Sequence, residues 1–151
     1  MKGRSLIGKW VVNQNDGAII GKVIDMVLDA SLEIESMVIL KDSGDKIEMP
    51  VKQLLLGENA VLVKMPYDHS GNKKMDEVVM YHEKLGTMII TTGGKEIGVL
   101  SDLVFEPETG NTTGLEISDG AIKDFIEGRN EITRDKIEIV GENAVMVSEQ
   151  D

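Results

Sequence analysis

The pentapeptide Gly-Glu-Asn-Ala-Val occurs twice, at 57–61 and 141–145, in a chain of 151 residues. An identity of that length in so short a chain marks a duplicated unit. A longer correspondence surrounds it. Gly17, Gly21 and Asp25 each precede Gly94, Gly98 and Asp102 by 77 residues, whereas the two pentapeptides are 84 residues apart. The second copy therefore carries about seven extra residues, placed within 117–131. The copies are assigned to 1–66 and 84–151, with a linker at 67–83. Units of this size bury only about 60% of the surface their unfolded chains expose, so each is expected to lean on a neighbour.

Within each copy the apolar residues alternate with period two, which is the pattern of strands. In GKVIDMVLDA, Ile24, Met26 and Leu28 fall on one face and Val23, Asp25, Val27 and Asp29 on the other. In GVLSDLVFEP, Leu103 and Phe105 oppose Leu100, Asp102, Val104 and Glu106. Further strands are expected at 10–12 and 88–91, 35–40 and 113–117, 46–50, and 60–64 and 144–147. Turn residues separate them, among them Gly17, Gly44, Gly94, Gly110 and Gly120, which accept positive φ at low cost. The repeated pentapeptide then reads as a tight antiparallel reversal, leading from the apolar segments QLLL and KIEIV into a closing strand. Helix is scarce. One short helix fits 121–129, with Asp119 as N-cap and Gly128 as stop, and MDEVVMYHEKL can form a turn or two at the end of the linker. The fold class is all-β, two small barrels in tandem.

Charge and composition exclude several function classes. There are 27 Asp and Glu against 16 Lys and Arg, a net charge of −11. Phosphate backbones and anionic membrane surfaces repel such a chain, so direct nucleic-acid binding and membrane adsorption are not expected. With no cysteine, thiolate metal sites, iron–sulfur clusters and a Cys nucleophile are absent. The N-terminal MKGRSLIGKWVV has no long apolar run and the longest such runs, near 37–40, are strand-sized. Neither a signal peptide nor a membrane span is expected, and a cytoplasmic location follows.

Four groups of residues invite chemistry. Asp25, Asp29, Asp102 and Glu106 are carboxylates four apart on strands, a spacing that suits a metal or acid–base pair. A solvated outer face, or an edge guarded by charge, is the preferred reading. His69 and His82 flank the linker with Asp68 and Glu83, but their separation of 13 residues matches no short zinc-ligand spacing. Ser118-Asp119-Gly120 forms no nucleophile–base set. Gly93-Gly94-Lys95 lacks the spacing and the following Ser or Thr of a phosphate loop, so a hairpin turn accounts for it. No catalytic, cofactor-binding or metal-binding residue is assigned, and an enzyme is not expected. The nine Met and five aromatic residues read as core.

What remains is surface. A closed small barrel needs one apolar face per strand, yet the second long strand of each copy has apolar residues on both. Val23, Val27, Leu100 and Val104 are therefore expected to lie in an interface, against the sister barrel or a partner.

The glycine–aspartate run in GKVIDMVLDA and in KEIGVLSDLVFEPETG, followed by an apolar strand and closed by the GENAV turns, resembles the PRC-barrel family across both copies. That family is named for the cytoplasmic domain of the photosynthetic reaction-centre H subunit and is similar to the C-terminal barrel of a ribosome-maturation factor. The segment GNTTGLEISDGAIKDFIEGRNEI also resembles PRC-barrel proteins of Gram-positive bacteria. The resemblance implies an adaptor or assembly barrel that docks to a protein partner or to itself as a homodimer, with no cofactor and no catalytic residues to carry over. The membrane helix of the one relative and the RNA-associated domain of the other have no counterpart in this sequence, so neither photosynthesis nor ribosome assembly is inherited with the fold. Two other readings stand beside the adaptor. One is a small-molecule or metal sensor using the cleft between barrels and the Asp25, Asp102, His69 and His82 groups. The other is a ribosome-associated assembly factor, which the acidity opposes unless its contact is a basic protein.

Overall fold

The computed structural model describes residues 1–64, 79–118 and 131–149. The helix expected at 121–129, most of the linker and His69 lie outside the described residues.

Copy one contains β1 (Trp10–Asn13), β2 (Ile19–Leu28), β3 (Ile34–Leu40), β4 (Lys46–Pro50), β5 (Leu54–Leu56) and β6 (Ala60–Val63). A short segment follows, β7 (Val79–Met80) and α1 (Tyr81–Lys84). Copy two contains β8 (Met88–Thr91), β9 (Glu96–Phe105), β10 (Thr112–Ser118), β11 (Glu131–Thr133), β12 (Ile137–Val140) and β13 (Ala144–Val147). The strand orders are the same in both, β4-β3-β2-β1-β6-β5 and β11-β10-β9-β8-β13-β12. Neighbours run antiparallel except the first and last strands of each copy, β1 with β6 and β8 with β13, which are parallel. This is the tandem all-β architecture expected from the sequence.

The repeated glycines and aspartates divide the labour along β2 and β9. Gly17 and Gly94 turn the chain with φ of 73° and 90°. Gly21 and Gly98 face strand backbone so closely that a Cβ would sit 2.2 Å from the Leu40 carbonyl oxygen, or 2.7 Å from that of Ser118. Just beyond them each strand carries a β-bulge. On β2, Val23 pairs with Ile39 and Asp25 with Val38, leaving Ile24 extra. On β9, Leu100 pairs with Ile117 and Asp102 with Glu116, leaving Ser101 extra.

The bulge overturns part of the expected face assignment. A strict alternation puts Val23 and Leu100 outside, but an extra residue reverses the facing of whatever precedes it. Val23 joins Met26 in the core, Leu100 joins Leu103, and Ile24 is half-exposed. Asp25 and Val27, with Asp102 and Val104, keep the outer face.

The pentapeptide is a reversal, between β5 and β6 and between β12 and β13, but its glycine is not needed for positive φ. Gly57 and Gly141 donate their amides to the carbonyls of Ala60 and Ala144 at 3.0 and 2.9 Å. A Cβ would meet those oxygens at 2.5 and 3.0 Å. Their own carbonyls accept a lysine ammonium, from Lys9 at 3.0 Å and from Lys84 at 2.9 Å. The duplicated requirement is close backbone approach.

Candidate functional site

The copies are joined by exchanged leading segments. Met1 and Lys2, which precede the first barrel, lie along β9 of the second: Phe105 donates its amide to the Met1 carbonyl at 2.8 Å, and Lys2 bridges Val104. In the reciprocal position β7, which precedes the second barrel, pairs antiparallel with β2 of the first, Met80 opposite Val27 and Val79 opposite Leu28. Val27 is 1% exposed and Val104 half-buried. Both lie beneath a strap from the other copy.

The repeated aspartates fasten the straps. Asp102 is wholly buried and its carboxylate accepts four hydrogen bonds, from the Tyr81 hydroxyl at 2.5 Å, the Leu103 amide at 2.7 Å, the Arg4 amide at 3.1 Å and Arg4 Nη1 at 3.4 Å. Asp25 accepts the Met26 amide at 2.9 Å, the His82 amide at 3.2 Å and a contact with His82 Nδ1. Arg4 and His82 hold equivalent places in the two straps. The expectation of a solvated carboxylate face is thus corrected for Asp25 and Asp102. Buried polar groups must be hydrogen-bonded, and these two bond across the seam. Gly3 and Tyr81 meet there, so closely that a Cβ on Gly3 would lie 2.6 Å from the Tyr81 ring. The other two carboxylates behave differently. Asp29 accepts the amides of Ser31 and Glu33 at 2.8 and 2.9 Å, closing a loop, and Glu106 is exposed.

That loop crosses the seam as well. Thr112 of copy two donates its hydroxyl to the Leu32 carbonyl at 2.7 Å and its amide to Glu33 at 2.9 Å, while Arg134 pairs with Glu33 at 2.5 Å. Leu32 has a φ of 65° where copy two has Gly110 at 77°. A branched residue there costs about 1–2 kcal/mol, offset by full burial of its side chain.

The electrostatics follow from these contacts. The Tyr81 hydroxyl is pushed far above its ordinary pKa by burial, by its bond to Asp102 and by that carboxylate's charge. Burial alone would raise Glu116, but hydrogen bonds from Arg4, Lys2 and Ser101 outweigh it and bring it down to about 2. A depressed folded value means that this stability is fully present above pH 4.5 and is lost as pH falls towards 2. It amounts to at most about 3 kcal/mol. In urea titrations across this window, wild type is expected to lose more stability than Glu116→Gln. Equal slopes would show that the carboxylate is not held by the strap.

Beyond the seam, the outer face of β5, β6, β1 and β2 carries an apolar row that runs Leu55, Leu62, Val12, Ile19 by cross-strand pairing. A second row runs beside it, Ala60, Trp10, Lys22, Leu40, Lys46. Trp10 is 44% exposed, Ile19 57% and Leu55 43%, and the Lys22 ammonium lies 4.3 Å from the Trp10 ring centre. Copy two repeats the arrangement with Ile139, Met146, Ile90 and Glu96 in one row and Ala144, Met88, Val99 and Ser118 in the other. The sequence reading missed this face, because outward apolar residues on strands as short as β1, β5 and β6 look like core.

Between the copies lies a cleft of about 410 Å³ lined by Asp29, Val79, Glu83, Lys84, Gly141 and Glu142. Among the described residues, no three His, Asp or Glu converge as a metal-ligand set, and no helix is long and apolar enough to cross a membrane. Gly93-Gly94-Lys95 is the β8–β9 hairpin, with Gly94 donating to the Thr91 carbonyl at 2.9 Å.

No curated protein matches the sequence. The family model for the PRC-barrel domain matches residues 1–70 and again 76–149, so each match contains one barrel together with the strap that precedes it. The chain belongs to the PRC-barrel family, as a tandem of two copies.

Proposed function

We propose that this chain is a non-catalytic adaptor or assembly module that docks proteins through its tandem barrels. The observation that carries the reading is the apolar row and the adjoining Trp10 row left open to water, on a sheet whose other face already packs the core. Contiguous apolar rows with a central exposed Trp are the composition of a protein-binding patch. The buried carboxylates and the seam tyrosine are consumed in joining the barrels, which leaves them no part in turnover. The net charge of −11 favours protein over nucleic acid or membrane as the partner. A cytoplasmic location fits that role.

The test uses purified protein as bait in a lysate of the source cell, beside a Trp10→Ala/Leu55→Ser variant whose melting temperature is checked first. A retained protein that the variant loses is the expected result. Equal retention by both, or turnover abolished by one point substitution, would contradict the reading.

The cleft favours a second reading, a sensor of small molecules or metals. Calorimetry with divalent cations tests its metal form, since binding that vanishes in Glu83→Gln would support a metal sensor and no heat would remove that form.

A further inference from the structure

The two exposed faces share their strand pairing and, among the described residues, differ in the sign of their charge. The rows of copy one contain Lys22 and Lys46 and no carboxylate, whereas the rows of copy two, among the described residues, contain Glu96, standing where copy one has Ile19, and no cation. The wider charge follows the same division. Residues 1–64 hold eight Lys and Arg against nine Asp and Glu, a net of −1, while 79–149 hold six against fourteen, a net of −8. Lys2 and Arg4 lie on copy two's carboxylates, which narrows the difference without reversing it. An apolar face with lysines on one barrel and an apolar face with a glutamate on the other complement each other across two molecules.

We infer that the chain self-associates heterologously, the Trp10 face of copy one in one molecule seating on the Met88–Ile139 face of copy two in the next. This rests on the adaptor reading and names the occupant of its face, a second copy of this chain. Like faces are disfavoured, since each pairing brings together two faces that carry charge of the same sign. A heterologous contact closes into a ring or continues as a chain of molecules, depending on its rotation. Six strands about 4.8 Å apart make a patch roughly 24 Å wide but only two side-chain rows deep, so the contact belongs with small, weak interfaces and dissociates in the micromolar range or above.

Sedimentation velocity from about 1 to 500 µM spans that range, with the emission of Trp10, the single tryptophan, as a second readout. Wild type is expected to sediment faster with concentration as its emission moves to the blue. Lys22→Glu and Glu96→Lys, both at exposed positions, should each raise the dissociation constant at least tenfold alone, and an equimolar mixture of the two should associate again. A wild type that stays monomeric to the highest concentration overturns the inference. So does a Glu96→Lys variant that associates as well as wild type, because the copy-two face is then uninvolved. A monomer that still retains a partner through the Trp10 face keeps the adaptor reading while this inference fails. Loss of both sinks both.

Discussion

Replacing Asp102 with alanine is expected to lower the unfolding free energy by about 3 kcal/mol, because it strands the buried Tyr81 hydroxyl and two amides at once. The loss comes from orphaned donors more than from the ion pair, since Arg4 is largely exposed and can turn to water. Tyr81→Phe in the same chain removes one of those donors. The double variant should then be more stable than the two single losses predict, by about 1 kcal/mol or more. Asp25→Ala should cost less, because its side-chain partner His82 is 64% exposed and water replaces the carboxylate there. Urea unfolding of the four variants measures all of this. A loss below about 1 kcal/mol for Asp102→Ala would mean that the latch is ornamental.

Val27→Asp is expected to destabilise by several kcal/mol. It places a carboxylate without a partner under β7, in a position 1% exposed. Val104→Asp sits under the other strap but is half-buried, beside Lys2, so its loss should be about 1 kcal/mol. In thermal melts the two variants separate clearly if the straps are packed as described. Equal and small shifts would place both side chains in water. Val23→Asp and Leu100→Asp act by another route, through the barrel cores, and should prevent folding of their own copy.

How far the sequence could be read depended on whether a signal was local. Duplication, strand identity and the reversals at Gly57 and Gly141 are carried by neighbours in sequence and were legible. The facing of Val23 and Leu100 was not, because a bulge leaves no trace in composition and inverts every facing before it. Asp25 and Asp102 were visible as a repeated pair. Their burial was not, because the donors that stabilise them lie 57 residues away for His82 and 98 for Arg4. An aspartate set next to methionine or leucine within an otherwise apolar strand is the available clue, since a carboxylate in such surroundings must find donors somewhere. The strap at 79–80 was read as linker because two residues carry no periodicity. The Trp10 face was missed for a different reason: an exposed apolar residue has the same letter as a buried one.

The central claim is that each barrel is completed by the leading segment of the other. Hydrogen exchange on a variant lacking residues 1–5 tests it most directly, because the damage should appear far from the deletion in sequence. Protection should fall along 101–105 and 112–118 of copy two, where Phe105 loses its bond to Met1 and Asp102 and Glu116 lose Arg4 and Lys2, while 19–28 of copy one stays protected. Faster exchange confined to 10–28, with β9 and β10 unchanged, would show instead that the segment belongs to its own barrel, and the exchange of straps would be wrong.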